Sequence, residues 1–137
     1  MKIDTRNFGK IEIEEEKIIS FPEGIPGFQD EKRFVIINNP DEENPFHWIQ
    51  SVDNPNLAFV IINPFFIKPN YDIKLSPSTV EKLRIEDEKH VLVYTIVVVP
   101  EDIKKMTVNL AGPIVINGKE RIGKYQFTET KAPTGYI

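Results

Sequence analysis

Two histidines, His47 and His90, are the residues of this sequence whose type best suits acid–base or metal-ligand chemistry. His47 stands beside Trp48 at the head of a β-rich run, and His90 opens another. No H-x3-H or HExxH spacing joins them, and a protein metal site needs convergent ligands of that kind. Cysteine is absent. That excludes disulfides, thiolate metal sites and cysteine nucleophiles. No G-x-S-x-G, phosphate loop or dinucleotide fingerprint occurs, and no helix follows Gly24 and Gly27 to make a phosphate cradle. Carboxylates are plentiful, but number alone does not single out an acid–base pair. Both histidines are therefore expected to be structural or surface groups, and the protein to be a non-enzyme that uses no cofactor and no metal.

The side chains that stand out suit binding instead. Phe28 ends a Pro-Gly loop, Phe65 and Phe66 follow Pro64, and Tyr71 follows Pro69-Asn70. Loops held on a rigid scaffold carry binding, and aromatic side chains anchor interfaces. Phe65 and Phe66 admit two readings, as plugs of a barrel end or as contacts. Two adjacent side chains point in different directions, so one of them is expected to turn inward.

Net charge is −4, unevenly spread. Residues 1–50 hold 11 acids and 6 bases, a net of −5; residues 51–137 hold 10 acids and 11 bases, a net of +1. No Lys/Arg cluster marks a nucleic-acid surface, so direct DNA or RNA binding is not expected. An acidic half suits a basic protein partner. The competing reading of each acid is a solvated strand face. The polar N-terminus has no apolar signal region. The apolar runs, such as Leu57–Ile62 and Tyr94–Val99, are too short to span a bilayer. A cytoplasmic protein is expected.

The elements that must position these residues are strands. At 137 residues, a single domain with one core is expected, spanning 1–137. Eleven prolines and seven glycines leave few intervals long enough for a helix, and those intervals are rich in Ile, Val, Phe and Thr. Strands are expected at Met1–Thr5, Lys10–Lys17, Ile18–Phe21, Arg33–Ile37, Phe46–Val52, Leu57–Ile62, Tyr71–Leu75, His90–Val99 and Arg121–Thr128. Met106–Asn117 is expected to be a further strand, broken or bulged near Gly112-Pro113. In the second run Ile11 and Ile13 alternate with Glu12 and Glu14, which places the two glutamates on a wet face. Asp53-Asn54-Pro55-Asn56 predicts a turn. Asn117-Gly118 predicts a two-residue hairpin. Ser76-Pro77 supplies an N-cap and a first-turn proline for the one short helix, running to about residue 85. The last nine residues are expected to be irregular. The whole is an all-β, compact, barrel-like fold. An apolar-ligand-binding barrel is the alternative function that such a fold permits.

Three segments in series resemble the FliW family. They are Ile19-Ser20-Phe21-Pro22-Glu23-Gly24-Ile25-Pro26-Gly27-Phe28; Trp48-Ile49-Gln50-Ser51 with Asp53, Pro55, Leu57-Ala58-Phe59-Val60 and Pro64; and Thr107-Val108-Asn109-Leu110 with Gly112-Pro113-Ile114-Val115-Ile116-Asn117. The resemblance covers the chain to about residue 128. It implies a β-barrel-like fold with two competing protein partners, flagellin and the translational regulator CsrA; separately, a monomer is expected. Flagellin occupies the assembly factor until export releases it; the freed factor then sequesters CsrA and relieves repression of flagellin translation. Phe28, Gln50, Phe65 and Tyr71 are the expected contact residues, with Glu12 and Glu14 as an acidic face toward a basic partner. Gly112 stands where the family more often has Ala, and the tail after Glu129 departs from the family pattern.

Overall fold

The structure, a computed structural model, describes residues 1–128 and 133–137. Alternating apolar residues and frequent turn signals produce eleven short strands among the described residues. These are β1 (Lys2–Thr5), β2 (Gly9–Glu12), β3 (Ile19–Ser20), β4 (Arg33–Ile37), β5 (His47–Ser51), β6 (Ala58–Ile62), β7 (Val91–Val98), β8 (Thr107–Asn109), β9 (Ile114–Asn117), β10 (Ile122–Tyr125) and β11 (Thr134–Tyr136). β3 through β7 form an antiparallel meander in chain order. β9 pairs with β7, β10 with β9, and β10 runs parallel to β3, so seven strands close a barrel. β7 is long enough to serve two partners on one edge: Val91–Tyr94 pair with β9, and Val97–Val98 with β8. The stretch Met106–Asn117 is thus split at Gly112-Pro113, as its proline requires. Asn109 Oδ1 accepts from Ala111 N–H in the turn between the two pieces.

Alternation sorts the apolar residues into three clusters. Phe21, Phe34, Ile49, Ile61, Ile114 and Ile116 fill the barrel interior. Ile62, Tyr71, Val97, Val108 and Leu110 form a second core outside the β6–β7–β8 wall. Ile3 and Ile13 of the β1–β2 hairpin cover Val35 and Val52 on the outer face of β4 and the end of β5. The side chains of this first cluster pack through the centre of the barrel.

The two α-helices among the described residues are short. α2 (Pro77–Lys82) starts as expected, with Ser76 Oγ accepting from Thr79 N–H. α1 (Pro64–Ile67) was not foreseen. Asn63 caps it by accepting from Phe65 N–H, with Pro64 at the first position. Tyr71–Leu75 is not a strand. The Tyr71 hydroxyl donates to the Leu110 carbonyl, and Gln126 accepts from Ser76 N–H while donating to the Lys74 carbonyl. Side-chain bonds, not a strand ladder, tether this segment. Asn117-Gly118 does not make a two-residue hairpin. Asn117 pairs with Ile122 across a four-residue loop, because the Asn117 side chain is drawn into the loop and Arg121 takes the positive φ of 56°. The tail is not wholly irregular: β11 pairs antiparallel with β8. Residues 129–132 of the expected irregular tail lie outside the described residues.

Candidate functional site

The Pro22–Phe28 loop is built to hold one aromatic ring at the surface. Gly24 adopts φ +67°, and a Cβ there would lie 2.6 Å from Gln29 Cα, so the loop closes back on itself only with glycine. Gly24 N–H donates to the Phe21 carbonyl, and Phe28 N–H to the Ile25 carbonyl. Glu23 bridges Lys82 at 2.8 Å and Lys124 at 3.0 Å, tying the loop to α2 and β10. Hydrogen bonds from Lys82 and then Lys124 hold the Glu23 carboxyl below its ordinary pKa. On this base Phe28 remains 41% exposed, edge-on to Phe59 with centroids 5.5 Å apart.

The other expected contact residues separate into surface and interior. Phe65 is exposed and stacks edge-on with Tyr71 at 5.7 Å; Phe66, its neighbour, is more exposed still. Tyr71 itself is buried in the second core, and burial raises its hydroxyl pKa. Gln50 is fully buried. Its amide donates to the carbonyls of Ser51 and Leu57 and, at 3.3 Å, Asn54, organising the β5–β6 turn. Tyr71 and Gln50 are thus both covered by surrounding residues. Glu12 and Glu14 are both exposed, on the side opposite the buried Ile13, as alternation requires. Beside the turn at Asp53, the Arg33 guanidinium forks onto the Asp53 carboxylate and holds its pKa below the ordinary value.

The histidines do not converge. His47 Nδ1 accepts from Asn39 N–H, and His90 closes a 3-10 turn after Asp87. Among the described residues no group of three His, Asp or Glu is placed to hold a metal ion. No helix among them is long and apolar enough to cross a membrane.

Two surfaces gave no clear sequence signal. Val98, Thr107 and Tyr136 stand directly opposite one another on β7, β8 and β11, so their side chains share one face, where Val98 and Tyr136 are exposed. A cleft of about 730 Å³ opens between β4 and the β9–β10 turn, with Glu12, Glu14 and Glu16 along one wall and Lys17 and Arg121 nearby. Leu92, within a run that reads as a buried central strand, lies at this cleft and is 42% exposed.

The described residues thus form a small closed barrel with a packed interior, with Phe28 and Phe65 exposed on hydrogen-bonded backbone. The family description "FliW protein" matches residues 2–134. Flagellar assembly factor FliW of Alkaliphilus metalliredigens is 56% identical over 90% of this chain and 76% of its own length. That of Caldicellulosiruptor bescii is 46% identical over 98% of this chain and 88% of its own. A crystal structure of the flagellar assembly factor FliW superposes with a TM-score of 0.90 at 43% identity, covering 99% of this chain and 95% of the other. The chain belongs to the FliW family.

Proposed function

We propose that this protein is a cytoplasmic, monomeric flagellar assembly factor that binds flagellin and, in competition with it, the translational regulator CsrA. Binding CsrA relieves repression of flagellin translation. The observation that carries the reading is the match to proteins named flagellar assembly factor, 56% identical over 90% of this chain for one relative and 46% identical over 98% of it for another. The arrangement of the surface supports it. Phe28 and Phe65 are exposed rings on held backbone, the combination that lets a side chain anchor an interface without first being ordered. Glu12 and Glu14 offer negative charge to an RNA-binding, hence basic, regulator. No step of this role calls for a cofactor or for catalysis.

The test is competitive binding with purified components. The protein forms one complex with CsrA and another with flagellin, and added flagellin displaces CsrA. A stable ternary complex of all three refutes the competition, and failure to bind either partner refutes the role.

A further inference from the structure

We propose that the cleft between β4 and the β9–β10 turn is a strand-insertion slot that receives an extended protein segment, apolar at alternating positions and flanked by lysine or arginine. The inference rests on the protein-binding reading above and adds where and how a partner is held.

The slot exists because β3 is two residues long. β3 alone joins β4 to β10, through Ile19 opposite Phe34, Ser20 opposite Arg33, and Ser20 opposite Ile122. Val52 N–H donates to the Arg33 carbonyl, while Phe21 N–H donates to the Lys32 carbonyl. Residue 33 therefore faces β5, and residues 32, 34 and 36 face β3, by the alternation of an antiparallel ladder. Continuing that register would bring Lys17 opposite Ile36. Lys17 is instead diverted into the 3-10 turn Glu15–Lys17, where its N–H donates to the Glu14 carbonyl at 2.9 Å. Ile36 is left with a backbone donor and acceptor that no described strand residue meets on this edge, and Ile36 lines the cleft.

An unpaired edge is completed by another backbone, which adds main-chain hydrogen bonds for affinity and alternating side-chain pockets for specificity. Toward the barrel the slot meets Ile19, Tyr94 and Ile116, so every second side chain of an inserted strand is best apolar. Along the outer wall stand Glu12, Glu14 and Glu16, all exposed. One of the two nearby cations, Arg121, is turned onto the Glu16 carbonyl at 2.7 Å. The balance of the rim favours a basic flank on the guest.

Amide hydrogen exchange tests the slot residue by residue. The probe is a doubly blocked seven-residue peptide of alternating valine and threonine with a lysine at each end. In the unliganded protein the Ile36 amide exchanges at least tenfold faster than those of Val35 and Ile37, which face β5. Saturating peptide slows Ile36 at least tenfold. A peptide with proline at its centre, equal in charge, loses binding, and E12K/E14K weakens the lysine peptide several-fold while the far-UV circular dichroism is unchanged. An Ile36 amide already as protected as its neighbours overturns the proposal, as does equal binding of the proline peptide or unchanged exchange at saturation. Protection that rises with protein concentration alone identifies a second copy as the occupant and also overturns it. If flagellin or CsrA binds and leaves Ile36 unprotected, the slot is refuted while the assembly-factor role stands. If the peptide protects Ile36 but neither protein binds, the slot stands and the role falls.

Discussion

Asn117→Ala is the substitution that best measures how the barrel holds its helix. Asn117 is 2% exposed. Its Nδ2 donates to the carbonyls of Leu83 (2.8 Å) and Arg84 (3.2 Å) just past the end of α2, and its Oδ1 accepts from Lys119 N–H (3.0 Å) and Glu120 N–H (3.2 Å). Lys119 and Glu120 are exposed, so water replaces those two bonds readily; Leu83 is buried, so its carbonyl is left without a partner. At about 1 kcal/mol per net bond, with the larger cost of an orphaned buried group, the loss is about 2–4 kcal/mol. That is a large share of the roughly 5–15 kcal/mol by which a domain is stable. Urea unfolding reads it as a fall in midpoint at constant slope. Asn109→Ala is the control, because Asn109 is exposed and, among the described residues, its side chain makes one bond, to Ala111 N–H at 3.1 Å. Asn117→Asp keeps the acceptor but points a carboxylate at two carbonyls, so it destabilises more at neutral pH than in acid. Equal costs for Asn117→Ala and Asn109→Ala, within about 0.5 kcal/mol, refute the clamp: exposed and buried amides would then be equivalent, contrary to the desolvation argument.

Gly24→Ala destabilises by upwards of about 1 kcal/mol, since alanine is strained at φ +67° and its Cβ meets backbone at Gln29, which cannot rotate away; thermal unfolding measures it. Glu23→Gln separates from the parent chain in stability only at higher pH. The Glu23 pKa lies below 4.5 in the folded protein, so its contribution is complete above that value and disappears as pH falls through the lowered one; denaturant midpoints across pH 2–7 should converge at the acid end, and because the carboxylate is half-exposed the difference is small. Glu12→Gln with Glu14→Gln lowers the association rate with CsrA and its salt dependence without lowering the melting temperature, because exposed charges act mainly on encounter. Phe28→Ala, by contrast, acts mainly on the dissociation rate, the signature of a ring seated in an interface; surface-immobilised kinetics at two salt concentrations reads both.

Much of the frame was legible because local chemistry decided it. Arg33–Ile37 forms β4 to the residue, and the Ser76 cap with Pro77 starts α2 where it should. The turn at Asp53–Asn56 and the break at Gly112-Pro113 follow from residues whose backbone options are few. At Gly112 the Tyr125 ring, from the facing strand β10, occupies the place a Cβ would take. Long-range events were less legible. Gln50 and Tyr71 looked like surface groups by type and position, but partners seven and thirty-nine residues away draw them inside. β11 is a strand only because β8 offers an edge, and Asn117-Gly118 abandons its favoured turn because α2 needs the amide. The cleft was invisible for a different reason: it is defined by the pairing that Lys17 does not make.

Ring closure imposes an order in time. β3 to β7 pair with their chain neighbours, so that meander assembles from contacts close in sequence. The seal is Ser20 against Ile122, a parallel pairing reached only after nearly the whole barrel sequence is present. Contacts of such separation carry the greater loop-closure entropy and form slowly. On a growing chain, Phe21, Phe34 and Ile49 would be complete as a sheet face yet have no roof until β9 and β10 emerge. The half-made barrel is then an apolar trough with two open edges, the kind of species that aggregates or recruits chaperones. Substitutions within β3 and β10 should therefore change the folding rate, while those in the β4–β5 hairpin leave the slow step largely untouched.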